Sequence, residues 1–262
     1  AKNGDDLYEL SNKREAYKDG YIINNIDARD GSIEFSNGDV LYKGQTHGGL
    51  NDQIMKYQME KAIEEHFKKE LKLTAKGVKV LSLFFVDRVD NYRHYTEQGA
   101  PQKGKFAGWF EEIYTKFRQK PMYAAVAKYA ADKVHNGYFA QDKKGVLKDS
   151  SEGRETKADD NAYQLIMKDK ERLLDINEPL KFIFSHSALR EGWDNPNVFQ
   201  ICTLNETRSE MKKRQEIGRG LRLCVDQSGM RLRDKNINRL TVIANESYED
   251  FAKRLQTEIE DE

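Results

Sequence analysis

Two arginines near the carboxyl end of the chain have the spacing of a phosphate-binding pair. Arg219 and Arg222 stand three residues apart in the segment QEIGRGLR, which starts at Gln215. Gly218 is suited to end the preceding basic helix, so both arginines are expected on an exposed bend. Guanidinium groups keep their charge and offer a planar fork of donors, which suits a bidentate grip on phosphate oxygens. Taken alone, such a segment is more often a solvated helix end that complements the helix dipole.

A second polar segment follows an apolar run and mixes several side-chain types. After the run LKFIFS, residues 186–196 have the sequence HSALREGWDNP. A hydroxyl from Ser187, a carboxylate from Asp194, an arginine and Gly192 are thereby crowded into one connection. In an open parallel sheet, ligands bind at the loops that follow the carboxyl ends of the strands. A plain connection needs about two to six residues and no such mixture, so a binding loop is favoured over an ordinary surface loop.

Apolar runs separated by helical patterns predict the elements that position these segments. Strand-like runs cover residues 78–86, 180–185, 198–204 and 240–244, with a further short strand at 138–140. Helical patterns cover residues 109–118, 122–134, 161–174, 209–217 and 248–259. Strands that alternate with helices imply right-handed βαβ units. The predicted fold class is therefore α/β, a parallel sheet with helices on both faces in three layers.

The first part of the chain predicts a different arrangement. Within residues 21–43, short apolar runs alternate with Asp30-Gly31 and Asn37-Gly38, dipeptides that favour tight hairpin turns. This pattern predicts a small β-meander. A long amphipathic helix is predicted next, at residues 51–72, and Gly77 ends it.

These patterns divide the chain into two predicted parts. Residues 1–50 form a meander and linker, and residues 51–262 form the main domain. Within the main domain, residues 91–108 have the composition of a polar loop. Residues 141–160 are charged and contain Ser and Gly, so they are expected to be mobile.

Composition limits the function classes. Lys and Arg together number 44 and are balanced by 44 Asp and Glu, so nucleic acid could be bound only by a local patch. No apolar stretch approaches the roughly 20 residues that span a bilayer, and the polar start, residues 1–6, is unlike a signal peptide. A cytoplasmic protein is expected. Cys202 and Cys224 are expected to be buried thiols, since neither has the spacing of a metal site.

Taken together, the two polar segments resemble motifs V and VI of superfamily 2 helicases. The pattern Q-x-x-G-R-x-x-R is the arginine-finger motif of that group, and E-G-x-D/N-x-P closes its motif V. More closely, the chain resembles the helicase subunit of type III restriction enzymes. The segments that carry this likeness are KVLSLFFVDRVDNYR, LIMKDKERLL, FIFSHSALREGWDNPNVFQICTL and QEIGRGLRLCVDQSGMR, and it covers roughly residues 20–250.

The resemblance implies a fragment of a two-domain motor, namely its second RecA-like domain. The run VKVLSLFFVDR is then motif IV, and residues of about 91–135 are an insertion peculiar to the family. Arg219 and Arg222 match the arginines that reach the γ-phosphate of ATP, which the first RecA-like domain holds. The residues implied in nucleotide binding are Gln215, Gly192, Asp194 and Gly218.

A nucleic-acid surface is implied as well. His186 and Ser187 fall where many relatives carry Thr-Asp and usually face the nucleic-acid backbone, and this departure leaves their role open. Arg88 follows the motif IV strand and is either a phosphate contact or a solvated loop cation. Trp193 either stacks on a base or packs in the core.

Motifs that the chain lacks complete the prediction. It contains no G-x-x-x-x-G-K-[ST] loop, no Asp-Glu pair after a buried strand and no nuclease constellation. ATP and Mg²⁺ would therefore be bound mainly by the absent first domain, and this fragment alone is predicted to be inactive. Implied partners are duplex DNA, a methyltransferase subunit and the first RecA-like domain, with no membrane. The alternative is a non-catalytic RecA-like scaffold whose arginines bind only DNA phosphates.

Overall fold

A computed structural model gives the architecture of the chain. It describes residues 2–11, 17, 20–29, 31–42, 48–86, 88–95, 101–139, 164–186, 193–204, 210–244 and 257. The chain forms two compact units, residues 1–57 and residues 58–262. Among the described residues, no helix has both the length and the apolar character needed to cross a membrane.

The first unit contains a short helix and an antiparallel meander. Its elements are α1 (Leu7–Leu10), β1 (Ile23–Asp27), β2 (Ser32–Phe35) and β3 (Val40–Tyr42), with β2 paired to both other strands. Gly31 and Gly38 have φ values of 71° and 88°, the left-handed region that these turns require. The predicted meander is thus confirmed, with its turns at the two expected glycines.

The second unit is built on a five-stranded parallel sheet. The described strands are β4 (Leu81–Val86), β5 (Arg93–Tyr95), β6 (Pro101–Lys103), β7 (His135–Tyr138), β8 (Phe182–Ser185), β9 (Val198–Leu204) and β10 (Thr241–Ile243). The order across the sheet is β10-β9-β4-β8-β7, and each neighbouring pair is parallel. Every residue of the central strand β4 is buried, because helical layers cover both its faces. The pair β5 and β6 forms a separate antiparallel hairpin.

Helices cover both faces of this sheet. The described α-helices are α2 (Gly48–Leu73), α3 (Lys105–Arg118), α4 (Ala131–Val134), α5 (Lys170–Leu174) and α6 (Glu210–Gly218). On one face, aromatic rings of the sheet meet rings of α3; Phe182 lies 4.8 Å from Phe110 and 5.9 Å from Tyr114 between ring centroids. On the other face, alternate strand residues such as Leu83 pack with Leu173 of α5. The predicted fold class, α/β with a parallel sheet covered by helices on both faces, is confirmed.

Two predicted helices are shorter than expected. Of residues 122–134, only α4 is α-helical, after a 3₁₀ turn at Pro121–Tyr123. The carbonyl oxygens of Val126 and Ala127, which would accept bonds inside a helix, accept instead from the side chains of Lys181 and Arg118. Helix prediction from local pattern missed these distant donors.

The predicted helix at 161–174 is also interrupted. Its described part is a π-helical turn, Gln164–Lys168, followed by α5. Asp169 lies between them with φ −97° and ψ 58°, and its carboxylate caps α5 at the backbone N–H of Arg172. Helix α3 starts at residue 105 rather than 109, and the predicted loop before it contains the β5–β6 hairpin. The predicted stretch at 141–160 and, apart from Thr257, the helix at 248–259 lie outside the described residues.

A buried polar layer joins α2 to the sheet. His66 of α2 is fully buried, and its Nδ1 lies 2.8 Å from Ser82 Oγ of β4. Glu70, one turn later, forms an ion pair with Lys181, and both side chains are almost fully buried. Burial lowers the pKa of His66, against the raising effect of the neighbouring Glu70. The layer is therefore most stable with a neutral imidazole beside a charged Glu70–Lys181 pair.

We predict that Lys181→Met lowers the free energy of unfolding by about 3–5 kcal/mol, because it leaves the Glu70 carboxylate buried without its ammonium partner. Urea unfolding of the chain measures this. Lys61→Met is the matched control, since the Lys61–Glu64 pair on α2 is only partly buried, with side chains 44% and 25% exposed, and its loss should cost at most about 1 kcal/mol. Equal effects of the two substitutions would contradict this account of the buried pair.

Candidate functional site

One carboxylate, that of Asp194, connects three separate segments of the chain. Its Oδ1 lies 2.9 Å from Nζ of Lys170, the first residue of α5. Its Oδ2 lies 3.1 Å from Nη1 of Arg222, which follows α6. The hydrogen bond from Lys170 lowers the pKa of Asp194, and the charge of Arg222 adds to the effect. We call Lys170, Asp194, Arg219 and Arg222 the Asp194 cluster.

The side chain of Arg219 joins this cluster by binding the backbone of Trp193, the residue before Asp194. Its Nη1 donates a hydrogen bond to the carbonyl oxygen of Trp193, at 3.0 Å. Burial lowers the pKa of the half-buried guanidinium, which nevertheless stays charged at neutral pH. The expectation that both arginines lie on an exposed bend is therefore wrong for Arg219. It holds for Arg222, whose side chain is 45% exposed.

Trp193 packs in the core and is not presented to a base. Its side chain is 3% exposed and belongs to the apolar cluster on the α5 face of the sheet. The indole N–H donates to the carbonyl oxygen of Ile166, at 2.9 Å. Of the two interpretations of Trp193, the structure therefore has the core one. The indole also ties the residue before Asp194 to the segment that carries Lys170.

The end of α6 is held against the sheet, and this places the arginines. Ile217 of α6 packs on Leu240 and Val242. A Cβ at Gly220 would lie 2.4 Å from Leu240 Cδ1, so only glycine allows the observed approach unless Leu240 moves. Gly218 is exposed, and a Cβ there would meet nothing within 4 Å. The backbone at Gly218 is thus open to an approaching ligand.

Paired hydrogen bonds from one asparagine hold the chain segment that follows Arg222. The buried Asn197 accepts from the backbone N–H of Val225 and donates to its carbonyl oxygen, both at 2.9 Å. This pairing fixes the chain after Arg222 beside the chain after Asp194. The sequence analysis missed Asn197, although an asparagine on each side of Pro196 could have drawn attention to it.

The other predicted site residues are placed elsewhere. Gln215 is exposed on α6. His186 is half-buried directly after β8, and Arg88 is exposed shortly after β4. These two strands are paired with Phe85 opposite Ser185, so both residues follow carboxyl ends at one edge of the sheet. Gly192 and Ser187 lie outside the described residues.

The predicted residues thus fall into two groups at opposite edges of the sheet, that is, at opposite ends of its strands. Asp194 precedes β9 and lies at its amino end, whereas His186 and Arg88 lie beyond carboxyl ends. A seven-residue strand is about 20 Å long. Helix α6 starts after the carboxyl end of β9 and returns Arg219 to Trp193 at the amino end. The general rule that ligands bind beyond the carboxyl ends of parallel strands therefore does not apply to the Asp194 cluster, which lies at the amino end of β9.

The chemistry of the Asp194 cluster suits an anion. Two cationic side chains contact a single carboxylate, and a third, Arg219, binds the backbone next to it. Lys170, Asp194 and Arg222 are each roughly 40% exposed. Such a donor set binds phosphate oxygens, whereas a divalent metal needs several anionic or neutral ligands. Within the described ranges, no group of three or more His, Cys, Asp or Glu side chains could hold a metal ion.

Comparison with known proteins shows which proteins the chain is similar to. No protein-family model matches the chain. It is 37% identical over 192 residues to the Res subunit of the type III restriction-modification enzyme EcoPI from Escherichia phage P1. It is 38% identical over 186 residues to the EcoP15I Res subunit from Escherichia coli, and both alignments cover 68% of this chain. The chain is homologous to part of the type III Res subunit.

A third Res subunit, that of StyLTI from Salmonella typhimurium, is 32% identical to this chain over 263 residues, and the alignment covers 87% of this chain. This chain spans only 18% to 24% of the length of these three relatives. Among solved structures, it is similar to domain 2 of the DEAD-box helicase Mss116p bound to an RNA duplex. That likeness has a TM-score of 0.37 at 14% identity and covers 78% of this chain and 56% of the other. The resemblance to the type III helicase subunit is confirmed by the Res relatives.

We predict that Trp193→Ala and Asp194→Asn in this chain differ sharply in their effect on the free energy of unfolding. The first removes a buried indole and should cost about 3–5 kcal/mol of unfolding free energy. The second removes partly exposed ion pairs and should cost at most about 1 kcal/mol. Denaturant unfolding of both variants measures the difference. A large loss for Asp194→Asn would mean that the cluster is mainly a structural brace.

Proposed function

We propose that this chain is the second RecA-like half of the ATP-dependent DNA translocase subunit of a type III restriction endonuclease. The observation that carries the proposal is the Asp194 cluster, in which the segments that resemble motifs V and VI meet at one exposed edge. Homology to three Res subunits supports the parent enzyme.

In this proposal, Arg219 and Arg222 bind phosphate oxygens of ATP that the first RecA-like domain holds with Mg²⁺. Bound ATP supplies the phosphoryl group whose hydrolysis drives movement. The hydrogen bond to the carbonyl oxygen of Trp193 holds the Arg219 side chain in place, while the exposed Arg222 can extend toward the γ-phosphate. Gln215, Gly192, Asp194 and Gly218 complete the nucleotide side, and the open space at Gly218 favours close approach of a ligand.

DNA is proposed to bind at the other edge of the sheet. His186, Ser187 and Arg88 are its candidate contacts, and they follow the carboxyl ends of β8 and β4. Because the chain has no net charge, these contacts form a local patch. The proposed partners are duplex DNA, the methyltransferase subunit and the first RecA-like domain, in the cytoplasm.

The decisive experiment is substitution of the two arginines in the complete Res-type protein with its partner subunit and DNA. Arg222→Lys and Arg219→Ala should lower kcat for ATP by roughly 10³ to 10⁵, as loss of an arginine finger does generally. Lysine keeps the charge but loses the planar fork. DNA affinity should be nearly unchanged. Arg233→Ala, an exposed arginine outside the cluster, is the matched control and should keep normal turnover.

The scaffold alternative gives the opposite result. If the arginines serve only DNA phosphates, the same variants lose DNA affinity with a shallower salt dependence, and ATP turnover is unaffected. Measurement of kcat and of DNA affinity on one set of preparations therefore decides between the two functions.

We also predict the behaviour of the 262-residue chain by itself. It should bind ATP weakly or not at all and show no DNA-stimulated hydrolysis, because it lacks a phosphate-binding loop. Its binding to DNA should be weak, independent of sequence and steeply salt-dependent. Calorimetry and a salt series of binding isotherms test both statements. Robust ATP turnover that a substitution within this chain abolishes would contradict the proposal.

A further inference from the structure

Lys170 is the member of the Asp194 cluster to which the proposed function assigns no role. We propose that Lys170 is a positioning residue that holds the Asp194 carboxylate so that Arg222 can leave it for a nucleotide phosphate. This inference rests on the proposed function and adds a residue to it.

The two cations occupy different oxygens of the same carboxylate. Lys170 Nζ contacts Oδ1 at 2.9 Å, and Arg222 Nη1 contacts Oδ2 at 3.1 Å. Arg222 can therefore depart without displacing Lys170. Partly exposed ion pairs of this kind are weak, so a phosphate group that offers Arg222 a bidentate contact can replace Asp194 as its partner.

Lys170 offsets the negative charge of Asp194 that remains when Arg222 leaves. Without Lys170, the Asp194 carboxylate would stand beside an incoming polyphosphate as an unpaired negative charge and would repel it. It would also be free to bind Arg222 with both oxygens, which would hold the arginine more tightly. Lys170 neutralises the carboxylate and occupies one of its oxygens, so it opposes both effects.

The backbone that carries Lys170 is fixed relative to Asp194. Leu173 of α5 packs in the same apolar cluster as Trp193. The indole N–H of Trp193 also binds the carbonyl oxygen of Ile166, four residues before Lys170. Asp169 caps α5 directly before Lys170. These contacts keep the ammonium group of Lys170 within reach of Asp194 whether or not Arg222 is bound there.

The test uses the complete Res-type protein with its partner subunit and DNA. Lys170→Met should lower kcat for ATP about tenfold through mispositioning of Arg222. It should also raise KM for ATP about threefold, because the unpaired Asp194 carboxylate repels the incoming polyphosphate. Lys170→Arg keeps a cation at the site and should restore kcat to within about twofold of the parent. Arg172→Met is the matched control, because Arg172 is an exposed cation of the same helix that pairs with Glu178 and not with Asp194, and its loss should leave kcat unchanged.

A double variant separates positioning from a general loss of structure. Once Asp194→Asn has removed the carboxylate, Lys170→Met should change kcat no further, because Lys170 acts through Asp194. If Lys170→Met lowers kcat by the same factor in both backgrounds, the inference is wrong. It is also overturned if Lys170→Met leaves kcat unchanged while Arg222→Lys reduces it, and in that case the proposed function still stands. If Arg222→Lys has no effect on kcat either, the proposed function itself fails.

Lys170→Gln guards against a folding defect in the methionine variant. Glutamine keeps a hydrogen-bond donor without the charge, so it should reproduce the loss of kcat at an unchanged melting temperature. Full activity of Lys170→Gln would overturn the charge argument.

Discussion

The attachment of residues 193–197 at the amino end of β9 is the constraint on which the candidate site depends. Trp193 is anchored by its indole N–H to Ile166, and Asn197 is paired with Val225 by two hydrogen bonds. The backbone N–H of Leu81 in the central strand donates to the carbonyl oxygen of Asn197. Between these anchors, Asp194 has little freedom, so its carboxylate faces α5 on one side and the end of α6 on the other. Every distance within the Asp194 cluster follows from that placement.

The same sheet separates the two proposed binding regions. The cationic Asp194 cluster lies at the amino end of β9, and the candidate DNA contacts His186 and Arg88 lie beyond the carboxyl ends of neighbouring strands. Strand β9 and helix α6 run between the two edges. In the proposed motor, such rigid elements would transmit a change at the nucleotide edge to the DNA edge, as domain closure around ligands does in general. This separation also makes the two functions independently testable, since no single substitution need affect both.

The buried polar layer under α2 has a different role. An apolar interface of the same volume would often be at least as stable, so the Glu70–Lys181 pair does not by itself strengthen the fold. The pair does, however, impose one register of α2 on the sheet, because any shift would leave a buried charge unpaired. Burial lowers the pKa of Lys79 to about 8, and its ammonium group donates to the backbone carbonyl oxygens of Asp175 and Glu178 directly before β8. Buried lysines thus secure chain segments that have no regular secondary structure.

Local pattern and resemblance determined much of this protein from its sequence. The runs that became β4, β8 and β9 are short and mostly apolar, and such runs favour strands that are covered on both faces. The glycine-containing turns of the meander and the two motif segments were visible for the same reason, since their properties depend on neighbours in the chain. Only the tertiary structure decided the helix breaks at Val126 and Asp169, the partial burial of Arg219 and the division of the site between two sheet edges. Lys170 is one of 44 lysines and arginines. Although it lies in one of the segments that carry the resemblance, nothing in its local sequence marks it as a partner of Asp194. Its contact with Asp194, 24 residues away, exists because the fold packs α5 beside Trp193, and contacts made through packing leave no periodic trace in a single sequence.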